Sequence, residues 1–327
     1  MIQIIENLIE EETAGDPMSD AKWTRTTLSK ISELLKEQDI NVCPNTVKKL
    51  LQNMGYSLKI NYKRFESDPK KATPISIKER DQQFKYIKQV RKEFNNREDS
   101  IVISVDSKKK ELIGNFYNKG RTWCKAPAQV NAYDFLTLAE GKFNPYGIYD
   151  LKHNRGLVVG GISSDTSEFA VNSIERWLRS QPNKANIKSL LILADGGGSN
   201  GSSNKMWKYG IQKKICEKYN IEVTVCHYPP GTSKFNPIEH HMFSELSKNW
   251  AGQPLKTYGT ALNFIRGTTA KNGLDIKAEI DMRNYETGIK ITDQQWAEIN
   301  LWPHNTIPKL NYTIRPNLNR KLFLHGP

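Results

Sequence analysis

The chain has 327 residues, 37% of them hydrophobic, and a formal net charge of +13. This length suits one large domain with one or two small ones, and no stretch approaches the ~20 apolar residues of a membrane span. The chain start lacks the basic region and long apolar core of a signal peptide, and no two of the four cysteines form a C-x-x-C pair, which argues against a disulfide framework or a zinc ribbon. We therefore expect a cytoplasmic protein that does not bind membranes.

The positive charge is grouped along the chain rather than spread evenly. Basic groups occur at 48–49, 59–64, 70–71, 108–110, 205–208 and 213–214. Aromatic residues lie within or beside several of them, a combination that suits a polyphosphate partner. The alternative is charge that serves only solubility, but the grouping favours DNA.

Residues 1–60 are predicted to form a small helical region. Apolar residues recur at helical spacing from Leu28 to Leu35, and a second helix begins at Pro44 and stops at Gly55. Two short helices with a tight connection are typical of a helix-turn-helix, although any helical hairpin gives the same pattern. The candidate DNA contacts lie near the start of the second helix: Asn45, Thr46, Lys48 and Lys49.

The pattern after residue 60 predicts three further segments. Residues 61–98 are expected to form a basic linker and a helix at 81–96, residues 99–252 an α/β catalytic domain, and residues 253–327 a C-terminal extension. Strands are predicted at 101–106, 111–117, 157–163, 190–195 and 221–226, and helices at 167–180, 203–219 and 237–250. Three strands followed by alternating strands and helices on a mixed sheet predict a ribonuclease-H-like fold.

Two acidic residues end apolar runs that are predicted to be buried strands. Asp106 follows 101–105 and Asp195 follows 190–194. Acids at the ends of strands are well placed to bind a metal ion, and Lys108 and Lys109 beside Asp106 could hold phosphate. An ordinary strand-to-turn transition is the alternative at each position.

The glycine-rich segment after Asp195 admits a second interpretation. Gly196 and Gly201 have the G-x-x-x-x-G spacing of a phosphate-binding P-loop, but Ser202 stands where that motif requires lysine. The nucleotide-binding interpretation is therefore weak.

A third acid, Glu239, lies in what is predicted to be the first turn of a helix. Asn236, Pro237 and Glu239 have the spacing of a helix cap, so Glu239 could serve only to satisfy backbone N–H groups. His240 or His241 could bind zinc or act as a base. Lys234 precedes this turn and is a candidate phosphate contact.

The contexts of these acids resemble the ISAzo13-type DDE transposases of bacterial insertion sequences. The resemblance covers about residues 5–316. It is carried by 102–116, 194–201 and 225–240, with further matches at 15–17, 23–24, 145–150 and 311–316. It implies a ribonuclease-H-like catalytic domain in which Asp106, Asp195 and Glu239 bind metal.

The same resemblance implies a function and its partners. We expect a nucleoid-associated enzyme that uses two Mg²⁺ ions, replaceable by Mn²⁺, to cut transposon ends and join them to target DNA. It is expected to act as a homo-oligomer on paired ends. Family members carry more sequence before 15–17, so the chain is expected to be either a truncated copy or a product that begins at an internal start.

Two other functions share these features. A catalytically silent copy would bind DNA and act like a repressor, and a ribonuclease-H-like nuclease would cut DNA without joining it. The three acids favour catalysis over the silent copy.

Overall fold

A computed structural model of the chain describes residues 2, 4–5, 8, 13–15, 22–24, 27–56, 74–120, 129–131, 136–270 and 273–317. These residues belong to two compact units, 1–65 and 66–327, and each unit is described by itself. Most of the predicted basic linker, from 61 to 73, lies outside the described residues. Within the described residues, no helix is both long and apolar enough to cross a bilayer.

The described residues of the first unit include two short paired strands and two helices with defined bounds. Strands β1 (Thr13–Gly15) and β2 (Lys22–Thr24) pair antiparallel. Helices α1 (Leu28–Lys36) and α2 (Pro44–Asn53) have nearly the predicted bounds. Their contact is apolar, with Ile31, Leu35 and Val47 fully buried, while polar and basic residues of α2 remain outside.

In the second unit the first described element is helix α3 (Pro74–Asn95), and the described strands form one mixed nine-stranded sheet. Its strands are β3 (Ser100–Ser107), β4 (Glu111–Ile113), β5 (Gly141–Asp150), β6 (Arg155–Gly161), β7 (Ser189–Asp195), β8 (Glu222–Tyr228), β9 (Asp275–Asp281), β10 (Leu301–Pro303) and β11 (Asn311–Ile314). The spatial order is β10-β11-β8-β7-β3-β5-β6-β9, with β4 paired to β5. The mixed α/β fold predicted from the sequence is confirmed.

The centre of the sheet has the predicted ribonuclease-H-like arrangement. Strand β5 runs antiparallel to both β3 and β6, and β7 and β8 follow on the other side of β3, parallel to it. The carboxyl ends of β3, β7 and β8 therefore lie at the same edge of the sheet.

Helices cover both faces of this sheet. The other helices are α4 (Ser167–Arg179), α5 (Lys205–Ile211), α6 (Glu217–Tyr219), α7 (Ser244–Asn249), α8 (Tyr258–Arg266) and α9 (Asp293–Ala297). Side chains alternate along β3, so Ile103 and Val105 pack in the core that includes α4, whereas Val102 packs against α3. Both faces of β3 and β7 are consequently buried, which fixes the positions of the residues at their ends.

Strand β5 is the main element that the sequence pattern did not predict. Its sequence contains Pro145 and Gly147, residues that usually indicate a turn rather than a central strand. Pro145 is tolerated because it lies beyond the last β3–β5 pair, Ser107 with Tyr146, where no ladder N–H is needed on that side. Strand β4 is shorter than predicted and ends at Ile113.

Three strands lie among the described residues of 253–327, for which the sequence predicted only an extension. Strand β9 pairs parallel with β6, and β11 pairs antiparallel with β8 and carries β10 on its outer side. These strands complete both edges of the sheet. The alternation of apolar and polar residues in β9 is a strand signal that could have predicted it.

Candidate active site

Asp106 and Asp195 lie side by side at the edge of the sheet. Strands β3 and β7 are parallel, and the residues just before the two acids, Val105 and Ala194, are partners in the ladder. The backbone N–H of Ser107 donates to Asp106 Oδ1 at 2.7 Å and orients that carboxyl group. The sequence prediction that these two acids converge is therefore matched by strand register.

Glu239 lies beside Asp106, at the start of a helix. The helix contains a π-helical turn, Glu239–Phe243, and continues as α7. The carboxyl group of Glu239 is close enough to Asp106 to raise the pKa of Asp106, by its charge and by hydrogen bonding. The Glu239 N–H donates to the backbone oxygen of Asn236 at 3.1 Å. The Asn236 side chain therefore does not cap this helix. The carboxyl group of Glu239 therefore faces the other acids instead of capping the helix.

The three acids repel one another in a partly desolvated site. Burial, followed by the charges of Asp195 and Glu239, raises the pKa of Asp106 to about 8. Burial and the charge of Glu239 raise the pKa of Asp195 to about 6. Such shifts are expected where like charges face each other in low dielectric, and a divalent cation relieves the repulsion.

The side chain of Asn236 joins the elements that carry the three acids. It is fully buried, and its Nδ2 donates to the Val105 carbonyl at 3.1 Å and to Asp195 Oδ1 at 3.3 Å. Its Oδ1 accepts from the Ser104 hydroxyl, which in turn accepts the Ile238 N–H at 3.0 Å. We call this arrangement of Ser104 and Asn236 the Ser–Asn clasp. It ties β3, β7 and the turn before Glu239 together.

A second buried polar group supports the end of β7. The fully buried His227 donates from Nδ1 to the Asp195 carbonyl at 3.0 Å, and its Nε2 accepts from the Tyr312 hydroxyl at 3.2 Å. Burial lowers the pKa of His227 to about 4, so the ring is neutral at pH 7. His227 and Asn236 are residues near the site to which sequence reasoning gave no such role.

Asp106 and Asp195 open onto a cavity of about 520 Å³. Its lining includes Asp106, Asp195, Gly196 to Asn200, and the loop residues Pro229 to Gly231 with Ser233. Gly198 has φ +63, a conformation that favours glycine and explains part of the glycine-rich segment. A fourth acid, Asp165, also lines the cavity and accepts from the Ser107 hydroxyl at 3.1 Å. Sequence reasoning did not single out Asp165.

The chain matches, over residues 4–316, the family model described as the Rhodopirellula transposase DDE domain. The chain belongs to this transposase family. The resemblance predicted from the sequence is confirmed. A search among curated proteins gave no match.

Solved structures with a similar fold are complexes of the Mos1 transposase. The chain is 14% identical to the Mos1 paired-end complex with the left transposon end, covering 81% of this chain and 69% of that chain with a TM-score of 0.41. The same shares are covered in the Mos1 strand transfer complex, at 14% identity and a TM-score of 0.42. The Mos1 mariner paired-end complex with Mn has 14% identity, coverage of 81% and 70%, and a TM-score of 0.41.

The donor set of this family member suits Mg²⁺, which prefers carboxylate oxygen ligands. In the part of the chain that the structure describes, no group of three or more His, Cys, Asp or Glu side chains is already arranged to hold a metal ion. The two histidines after Glu239 are engaged elsewhere. His240 contacts the Lys234 carbonyl, and His241 stacks on Tyr149 with ring centroids 5.5 Å apart.

The predicted phosphate contacts near the acids differ in exposure. Lys108 is half-buried, and its Nζ lies 5.3 Å from the ring centroid of Trp250. Burial lowers the pKa of Lys108, although the nearby charges of Glu111 and Glu239 act in the opposite direction. Lys109 and Lys234 are exposed.

The predicted DNA contacts of the first unit lie on α2. Asn45, Lys48 and Lys49 are exposed, which leaves them accessible to a partner. Thr46 is half-buried, and its hydroxyl lies 3.3 Å from the Cys43 sulfur.

Proposed function

We propose that this protein cuts transposon ends and transfers them into target DNA at Asp106, Asp195 and Glu239. The observation that carries the proposal is the proximity of these acids: Asp106 and Asp195 lie at neighbouring parallel strand ends and line one cavity, and Glu239 is close enough to raise the pKa of both. Membership of a DDE transposase family supports the same assignment.

We propose that the three carboxylates hold two Mg²⁺ ions, which Mn²⁺ can replace. When bound, divalent cations supply Lewis-acid activation of the attacking oxygen and stabilise the leaving oxygen of a phosphoryl transfer. The raised pKa values of Asp106 and Asp195 support a cation-binding site, since bringing three carboxylates together costs free energy unless a cation neutralises them.

The surrounding residues orient these ligands and receive the DNA backbone. The Ser–Asn clasp holds the Asp195 carboxylate and the start of the Glu239 helix, so it fixes the spacing of the acids. Lys108, Lys109 and Lys234 are proposed to neutralise phosphate charge beside the cavity, since each neutralised phosphate releases counterions and strengthens binding.

Recognition of the transposon end is proposed for the first unit. Helices α1 and α2 are consecutive, short and packed on each other, and we propose that Asn45, Thr46, Lys48 and Lys49 contact the terminal sequence. We further propose that the protein assembles as a homo-oligomer on paired ends and is associated with the nucleoid.

The test is Mg²⁺-dependent nicking of the element's terminal DNA by wild type and by Asp195→Asn. We expect the variant to lose nicking at least a hundredfold, because an amide is a poor replacement for a metal-binding carboxylate. Asp99→Asn is the matched control: Asp99 lies at the opposite end of β3, half-exposed and paired with Arg97 at 3.4 Å. Unchanged nicking by Asp195→Asn would contradict the proposal.

A second assay separates the proposed reaction from its alternatives. Wild type is given a pre-cut transposon end together with target DNA. Joined product supports strand transfer, whereas nicking without joining identifies a nuclease. Specific DNA binding with neither reaction, under Mg²⁺ or Mn²⁺, identifies a silent DNA-binding copy.

A further inference from the structure

Phe235 is a large apolar residue that is about half-exposed to solvent, close to the candidate active site. Its side chain is 49% exposed, although it lies between β8 and Glu239 in a loop that is otherwise tightly held. Buried Thr232 and Asn236 flank it, and the Thr232 hydroxyl donates to the Pro229 carbonyl at 2.5 Å. The loop therefore has ordered anchors on both sides of an exposed aromatic ring.

The ring of Phe235 is positioned by contacts with other aromatic side chains. Phe84 of α3 packs edge-on against it, with centroids 5.1 Å apart and planes at 71°. Phe84 is in turn held by Tyr228 at the end of β8, at 6.2 Å. A ring fixed in this way loses little conformational entropy when a ligand stacks on it.

A cavity of about 360 Å³ lies at this contact. It is lined by Phe84, Phe235, Arg80 and Asp81. The exposed ring of Phe235 suits stacking by a flat π-system, while a guanidinium and a carboxylate suit the donors and acceptors on its edge. The Nζ of Lys234 lies 5.1 Å from the Phe235 centroid, a position from which it could reach a neighbouring phosphate.

The cavity lies close along the chain to the acids. Ser233 lines the acidic cavity, and Phe235 is two residues further on. Two residues span at most ~7 Å, whereas successive nucleotides of a DNA strand rise about 3.4 Å. A nucleobase at Phe235 would therefore belong to a nucleotide within a few positions of the phosphate at the acids.

We propose that the cavity formed by Phe84, Phe235, Arg80 and Asp81 binds one unstacked nucleobase near the reacting phosphate. The proposal rests on the proposed function, because it places the reacting DNA strand at the three acids. Stacking of a base on Phe235 would anchor the strand in register. Base–aromatic stacking contributes ~1–3 kcal/mol per base, which corresponds to about 5- to 150-fold in affinity.

The test is a coupling cycle between the protein and the DNA. Terminal duplexes carry a single abasic site at each of three positions on either side of the cleaved phosphate. Their affinities for wild type and Phe235→Ala are measured without a catalytic metal. We expect the two changes to be non-additive at one position, with a coupling of at least about fivefold. A coupling cycle cancels the cost of unstacking the base, which is common to both proteins.

Three controls make the result decisive. Trp302→Ala removes another aromatic ring, which is 53% exposed and lies 4.9 Å from the Arg315 guanidinium. Trp302 does not line this cavity, so the variant should show no coupling. Phe235→Trp should retain the coupling, because tryptophan also stacks. Thermal unfolding should show the same midpoint for Phe235→Ala and wild type, which excludes a folding defect.

The outcomes distinguish the inference from the proposed function. Metal-dependent nicking by wild type together with coupling below twofold at every position would overturn the base-binding site and leave the function intact. Failure of wild type both to bind and to nick terminal DNA would overturn both.

Discussion

Removal of the Asn236 side chain should lower both the stability of the protein and the activity of the candidate site. In Asn236→Ala the Val105 carbonyl and the Ser104 hydroxyl, both in the buried interior, lose their partner, and Asp195 loses its amide donor. A typical hydrogen bond contributes ~1 kcal/mol, and a buried group left without a partner costs ~1–3 kcal/mol. We therefore expect the free energy of unfolding to fall by about 2–4 kcal/mol.

The effect on DNA nicking should exceed the effect on folding. The clasp sets where Asp195 and Glu239 lie, and a shift of ~1 Å in a catalytic group can cost about a hundredfold in rate. The assay is urea unfolding, followed by nicking rates measured where each variant is fully folded. Asn172→Ala is the matched control, because Asn172 is also buried and donates to the Tyr285 hydroxyl at 3.1 Å, in contact with none of the three acids. That variant should lose stability and keep its rate.

A double-mutant cycle with Ser104 tests whether the clasp acts as one unit. Ser104→Ala removes the hydroxyl that bridges Asn236 and the Ile238 N–H. The combined variant should be less destabilised than the sum of the single variants, since neighbouring residues in one network are coupled. The reasoning is refuted if Asn236→Ala unfolds within 0.5 kcal/mol of wild type, as estimated for neutral surface changes, and nicks at the wild-type rate.

Two further predictions concern the frame around the site. Burial alone would raise the pKa of Asp281, but hydrogen bonds from Arg283 and Tyr285 outweigh it and lower the pKa to about 2. Asp281 should therefore contribute about 2 kcal/mol to the free energy of unfolding above pH 4, and this contribution should be lost as the pH falls towards 2. In urea unfolding, the difference in free energy of unfolding between wild type and Asp281→Asn should shrink over that range. A difference that stays constant with pH would contradict the prediction. Gly147→Ala should lower the free energy of unfolding by ~1–3 kcal/mol, because the new methyl group would lie 2.6 Å from a Phe243 ring carbon below the Glu239 helix. An unfolding midpoint equal to that of wild type would contradict this prediction and show that the neighbouring side chains shift to accommodate the methyl group.

The placement of two of the acids could be predicted from the sequence because it depends on local patterns. Long apolar runs identified β3 and β7, and an acid after each run had to lie at an edge of the sheet. Parallel pairing of the two strands then brought Asp106 and Asp195 together.

Other features depend on contacts between distant parts of the chain and could not be predicted in this way. Strand β5 contains Pro145 and Gly147, and it forms because its partner strands bury it. The cap-like spacing of Asn236 and Glu239 predicted a local contact. Instead, the Asn236 side chain contacts Asp195, more than 40 positions away, and Ser104, more than 130 positions away. Glu239 faces Asp106, which is also more than 130 positions away. The cavity lined by Phe84 and Phe235 requires α3 and the loop before Glu239 to meet.

The most direct test of the central claim is calorimetric titration of Mg²⁺ and of Mn²⁺ into wild type and into Asp106→Asn, Asp195→Asn and Glu239→Gln. If the three acids form one metal site, each ion should bind wild type, and every one of the three variants should bind at least about tenfold more weakly, with Asp99→Asn unchanged. Equal affinity of wild type and all three variants would show that these carboxylates do not form a metal site.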